Sequence, residues 1–174
     1  DDGAGRIQFY ERSGQTKMAA LRSAVGAFID STVTANEGIT AEENKHRVSI
    51  VSFSTNANQA IGWTVCDSSN AQTLKNTVNG LNANGATRAD YGMSEAEDAL
   101  DSSRENAQKV VIFFTDGVPT SGNSFESRVA NAAISSAKNM KDEGALIYSI
   151  GIFAGADAAD TTTNTNAYMH GVSS

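Results

Sequence analysis

Two kinds of apolar pattern share this chain. In four stretches the apolar residues recur at three- and four-residue steps, and in four others they run on or alternate as in strands. From Thr16 to Asp30 the positions Met18, Leu21, Val25 and Phe28 make the stripe of an amphipathic helix packed on a sheet. The preceding Asp1 to Gln15 carries three glycines and little periodicity, and reads as a mobile connection into that helix. Asp67, Ser68 and Ser69 offer N-cap oxygens to a second helix with Leu74, Val78 and Leu81 on one face. A third covers Asp90 to Ser102, with Met93, Ala96 and Leu100 inward and the acids Glu95, Glu97, Asp98 and Asp101 outward as a solvated face. The fourth, Ser124 to Glu143, turns Val129, Ala133, Ala137 and Met140 inward and stops at Gly144.

The strand-like runs lie between and around these helices. Arg47 to Phe53 (RVSIVSF) is β-branched and apolar, and a hairpin through Ser54 to Asn58 joins it to a shorter edge strand, Gln59 to Val65. Lys109 to Phe114 (KVVIFF) is too continuous for a sheet with one wet face, and suits one covered on both. Ala145 to Ile152 (ALIYSIGI) predicts another buried strand. Strands and helices in this order predict an α/β fold with right-handed crossovers and an open, mainly parallel sheet flanked by helices. Ala154 to Asn166 is polar, rich in Thr and Asn, and reads as mobile; Ala167 to Ser174 reads as the start of an element cut short.

Composition narrows the function. At 174 residues the chain reads as a single domain, 1–174, with a sizeable core. Its net charge of −7 argues against a nucleic-acid partner, which needs clustered Lys and Arg. An acidic surface suits cations and basic partners, and solubility alone also accounts for it. No stretch has the length of a membrane span and Asp1 to Tyr10 lacks the regions of a signal peptide, so any export signal or wall anchor is expected outside this segment. The single cysteine, Cys66, reads as a buried or incidental thiol, with pairing to a cysteine outside the segment as the alternative. His46 and His170 have no Cys or His neighbours at ligand spacing, which argues against zinc there.

The candidate chemistry sits at Phe113 to Val118, FFTDGV, where Asp116 stands at the mouth of the apolar strand. Carboxyl ends of strands in open α/β sheets are where ligands bind, whereas the structural alternative makes Asp116 a cap of the following turn. The loop NGATRAD, Asn84 to Asp90, is expected at the same rim: Gly85 permits close backbone approach, Thr87 offers a hydroxyl, and Asp90 a carboxylate or an N-cap. A hydroxyl, a carboxylate and water form an all-oxygen set suited to Mg²⁺, Mn²⁺ or Ca²⁺. Thr87 alone also fits a cap or turn.

The order RVSIVSF, NGATRADYGM, KVVIFFTDGVPT, ALIYSIGI resembles a von Willebrand factor A domain over nearly the whole chain, in flavour closest to those of Gram-positive pilus tip adhesins. The resemblance implies the von Willebrand factor A (Rossmann-like) fold and a metal-ion-dependent adhesion site assembled from a D-x-S-x-S motif, a G-x-T loop and a T-D-G loop. Thr87 matches the second element and Asp116 the third. No D-x-S-x-S, and no apolar strand to carry it, precedes the helix of Met18. Set against the family pattern, the chain is expected to be truncated at both ends, with the first strand and motif and the last helix and strand lacking. The first strand would lie between RVSIVSF and KVVIFF, and its loss would leave a gap of roughly 10 Å, two strand spacings. Closure of the flanking strands, strand donation from another chain in an exchange oligomer, or supply of the strand elsewhere in the molecule are the three outcomes.

The resemblance further implies cell-surface adhesion or ligand binding at a bacterial pilus tip or cell wall. A divalent cation, Mg²⁺ first and Mn²⁺ or Ca²⁺ as alternatives, would be held in a site left incomplete and weakened, or unoccupied. Its partners would be host extracellular-matrix or cell-surface proteins and other pilin domains. Two readings compete. One is a structural scaffold without metal. The other is a phosphatase of the haloacid dehalogenase type, which needs a carboxylate two residues before its second Asp, where Phe114 precedes Asp116. No G-x-G-x-x-G follows a strand, and no Ser, His and Asp set stands out, so the chain reads as a binding module and not an enzyme.

Overall fold

The computed structural model describes residues 16–122, 124–151 and 168–173. Helix α1, Lys17–Glu37, starts at the N-cap Thr16, whose side chain accepts from the Ala19 N–H at 3.2 Å. It runs well past Asp30, where the sequence pattern ended it. The reason is a face continued by Ile29, Val33 and the polar Asn36, of which Ile29 and Asn36 are buried. The Asn36 amide nitrogen donates to the carbonyls of His46 (3.0 Å) and Cys66 (2.8 Å), and its oxygen accepts from the His46 N–H at 2.7 Å. The predicted stripe is rotated accordingly. Phe28 points outward, 43% exposed, while Val25, Ile29 and Val33 pack against the sheet.

A single 3₁₀ turn, Glu42–Asn44, leads into β1, Arg47–Phe53, and the hairpin returns as β2, Ala57–Val65. These strands pair antiparallel, from Arg47↔Val65 to Phe53↔Ala57, with register shifts around Ile50. Helix α2, Ala71–Asn79, follows. Its N-cap is Asn70 without a side-chain bond, in place of the predicted Asp67 to Ser69. Asp67 instead closes the preceding turn, accepting from the Ser69 N–H, the Ser69 hydroxyl and the Asn70 N–H. Next come α3, Ala89–Asp101, and β3, Val110–Thr115. Helix α4, Ser127–Asp142, begins later than the predicted Ser124, because the Glu126 N–H still bonds the Pro119 carbonyl at 2.9 Å and extends the loop. After Gly144, at φ +90°, β4 (Leu146–Gly151) pairs parallel with β3, Val110↔Leu146 through Thr115↔Gly151.

Two layers of helix enclose the β1–β2 hairpin. Ile29, Leu74 and Cys66 pack with Val48, Ile50 and Ile61 on one face. On the other, Phe53 and Trp63 join the core of Met93, Leu100, Phe113 and Met140. Helix α3 lies close on this side: a Cβ at Gly92 would come within 2.7 Å of the Phe53 ring, and the Trp63 indole N–H donates to the Ala99 carbonyl at 2.8 Å. The acids of α3 lie outward as expected, with Asp98 and Asp101 exposed, and two of them also tie the helix to its neighbours from that solvated side. Glu95 accepts from the Gln59 N–H (3.0 Å) and Glu97 from the Asn139 amide (2.9 Å).

Among the described residues the strands form two pairs, β1–β2 and β3–β4, with no hydrogen-bonded ladder between them. Thus β1 and β3 do not close on each other by pairing, although Phe53 and Phe113 stack with ring centroids 5.4 Å apart. The parallel order expected for the sheet is seen in β3–β4. Among the described residues, no helix covers the second face of this pair. Phe113 and Ile147 are buried against α3 and α4, whereas Val110, Leu146 and Tyr148 on the opposite face are 44%, 49% and 56% exposed, because α1 packs on the hairpin instead. Residues 168–173 are helical and dock Tyr168 and Val172 into the core, the Tyr168 ring meeting Phe113 edge-on at 6.1 Å. The expectations for Asp1 to Gln15 and Ala154 to Asn166 lie outside the described residues.

Candidate metal centre

Strand β3 delivers its last residues into a turn locked by Thr115. The Thr115 hydroxyl donates to the Gly117 carbonyl at 3.0 Å and accepts from the Gly117 N–H at 3.4 Å. Asp116 therefore stands exposed at the carboxyl end of the strand. Among the described residues no hydrogen bond engages its carboxylate, while its carbonyl accepts from Lys17 Nζ at 3.1 Å.

The loop before α3 is fastened to the end of β1. Gly85 has φ +82°, and a Cβ there would lie 2.4 Å from Thr55 Oγ1, so both the backbone conformation and the space demand glycine. Thr55 Oγ1 accepts from the Ala86 N–H at 3.1 Å, and the Ser54 carbonyl from the Arg88 N–H at 2.8 Å. The same loop is tied to the Asp116 turn by a reciprocal pair. The Thr87 N–H donates to Thr120 Oγ1 at 3.1 Å, and the Thr120 N–H to the Thr87 carbonyl at 3.0 Å. A Cβ on Gly117 would lie 3.3 Å from Thr87 Oγ1, so the hydroxyl closely faces the peptide that follows Asp116. Thr87 and Asp116 thus share one rim.

Asp90 does not join them. Its carboxylate takes a bidentate pair from Arg88, Nε at 2.8 Å and Nη2 at 2.7 Å, and the Arg88 guanidinium lies 3.5 Å from the Tyr91 ring centroid. Burial disfavours the charged form of Asp90, but the bonds from Arg88 and the Tyr91 N–H outweigh it and hold its pKa below the ordinary 3.8. The N-cap expected of Asp90 falls to Arg88, without a side-chain bond.

Cys66 is buried, its Sγ 3.5 Å from the Ile29 carbonyl; burial, then the charges of Asp67 and Asp30, push the thiol up from 9.0. That environment is structural, with the thiolate disfavoured. Among the described residues no three His, Cys, Asp or Glu side chains gather as a metal cluster, so the rim offers a hydroxyl and one carboxylate. By donor chemistry these two oxygen-bearing side chains suit a hard cation. Sequence reasoning missed the residues that hold the rim: Ser54, Thr55, Thr120 and Lys17. Thr120 lies in the same TDGVPT segment as Asp116, but partnerships across the fold carry no local signal.

The model of the von Willebrand factor type A domain matches residues 5–171. The chain belongs to the von Willebrand factor type A domain family. This type A domain has the fold of pilus proteins. It matches the pilus adhesin SpaC of Lactobacillus rhamnosus GG in its open conformation with a TM-score of 0.71 and 19% identity, over 90% of this chain and 24% of that one. For the vWF domain of the type V pili tip protein Mfa5 from Porphyromonas gingivalis the values are 0.72 and 14%, over 91% and 80%. The proximal thread matrix protein 1 from the mussel byssus, with zinc occupied MIDAS motif, gives 0.64 and 19%, over 90% and 36%. The domain spans about a quarter of the SpaC chain. No curated protein sequence matches it. No helix among the described residues is long and apolar enough to cross a membrane.

Proposed function

We propose that this domain is a protein-binding adhesion module displayed on a bacterial surface, at a pilus tip or on the cell wall, and that Thr87 and Asp116 hold a divalent cation. The observation that carries this reading is the Thr87 hydroxyl set against Gly117, directly after Asp116, at the carboxyl end of β3. Mg²⁺ is the first candidate and Mn²⁺ or Ca²⁺ the next, by the all-oxygen donor set. When bound, the cation would supply a coordination position for a carboxylate of a partner protein. The chain's own residues do the rest: Thr120 and Thr55 fix the Thr87 loop, and Thr115 fixes the turn that presents Asp116. Matrix or surface proteins of a host and neighbouring pilin domains are the partners this reading names. Pilus proteins among the structural relatives support it. We read the chain as one domain over residues 1–174 and as a binding module, not an enzyme.

A scaffold without metal is the second reading, and Lys17 favours it. Its ammonium already brings a positive charge to the Asp116 carbonyl. Calorimetric titration of Mg²⁺ and Mn²⁺, with Zn²⁺ alongside, separates the two. The adhesion reading expects saturable binding, with a dissociation constant of about 0.1–1 mM as in extracellular calcium modules, abolished in Asp116→Ala at an unchanged melting temperature. Heat identical in wild type and Asp116→Ala supports the scaffold.

A further inference from the structure

A second feature of this rim needs no metal. Asn56 and Ala57, where the hairpin enters β2, and Tyr91, Ser94 and Glu95 on the first turns of α3 line a shallow, open groove of about 230 Å³. Its two chemically distinctive walls are held from behind. Tyr91 is 44% exposed and carries the Arg88 guanidinium 3.5 Å from its centroid, and that guanidinium is pinned and neutralised by Asp90. Glu95, four residues after Tyr91 and so on the same helix face, is oriented by the Gln59 N–H at 3.0 Å. Neither Arg88 nor Gln59 lines the groove. What the groove presents is an aromatic ring, a carboxylate with lone pairs left over, an amide and a hydroxyl.

A ring beside an ionised carboxylate attracts a cation by quadrupole and by charge. The net charge of −7 on the chain adds a long-range field of the same sense. The groove has room for one long side chain. We propose that it binds an arginine or lysine side chain of an extended partner peptide, the charged head between Tyr91 and Glu95, with Asn56 and Ser94 accepting or donating to the peptide backbone. Because both walls are already braced, little ordering cost is left for binding to meet. The contact shares no residue with Thr87 and Asp116, so it goes beyond the metal reading and stands if that reading fails.

The test is an amide NMR titration of the chain in EDTA with the capped tripeptide acetyl-Gly-Arg-Gly-amide, run beside acetyl-Gly-Gln-Gly-amide and maltotriose. Shifts should concentrate at Asn56, Ala57 and Tyr91 to Glu95, with the arginine peptide about fivefold tighter than the glutamine one. Glu95→Gln, whose amide oxygen can still accept from Gln59, should weaken arginine binding by a similar factor, and so should Tyr91→Leu. Equal response to both peptides, unchanged affinity in Glu95→Gln, shifts elsewhere, or a response to maltotriose alone would overturn the proposal.

Discussion

The backbone of Thr87 is taken up by Thr120 on both its N–H and its carbonyl, and its side-chain oxygen is turned toward Gly117. Gly85 is required here by its positive φ and its contact with Thr55, while a Cβ on Gly117 would press on the Thr87 hydroxyl at 3.3 Å. Three residues on, Asp90 shows how the rim is kept rigid. Its ion pair with Arg88 is nearly buried, with side chains 8% and 13% exposed. The folded-state pKa of Asp90 lies below its ordinary 3.8, so the stabilisation is present above that pH and is lost as pH falls toward the folded value. Acid unfolding monitored by circular dichroism should therefore steepen below about pH 4, and Asp90→Asn should flatten that part of the curve. At neutral pH the same variant should be less stable by about 3 kcal/mol, since it leaves the Arg88 charge without its partner. An unchanged acid limb in Asp90→Asn would show that other carboxylates control it.

Among the helices, α1 depends on one polar residue. Asn36 joins the end of α1 to the start of β1 and the end of β2 through three hydrogen bonds, and it is buried. Asn36→Ala should cost about 3 kcal/mol, because carbonyls and an N–H that it satisfies would be stranded. Urea denaturation checks this, and a loss under about 1 kcal/mol would mean that water replaces the amide. The same residue explains where pattern reading failed. Apolar periodicity carried β1 to its observed ends and picked Val129, Ala133, Ala137 and Met140 as the buried face of α4, because those residues decide their environment locally. The end of α1 was hidden because its last inward position is an asparagine whose partners lie across the fold. Glu95 and Glu97 do face outward as assigned, but their hydrogen bonds to Gln59 and Asn139 were not legible, since a surface acid bonded to a neighbouring element looks like any other in sequence.

Among the described residues, helices lie on both faces of the hairpin, Val110, Leu146 and Tyr148 leave one face of the parallel pair exposed, and the two sequence-predicted candidates, Thr87 and Asp116, sit on one rim. Thr87 and Asp116 were legible from their motifs together with the strand and helix between them. Their bracing by Ser54, Thr55, Thr120 and Lys17 was not, being made of contacts between distant segments. The claim that this rim is a cation site is tested most directly by adding Mn²⁺ in small increments to the ¹⁵N-labelled chain and recording which amides broaden. The account predicts that broadening starts at Ala86 to Arg88 and Thr115 to Val118 and is reversed by EDTA. Broadening that starts instead along the acids of α3, or nowhere on this rim, would contradict it.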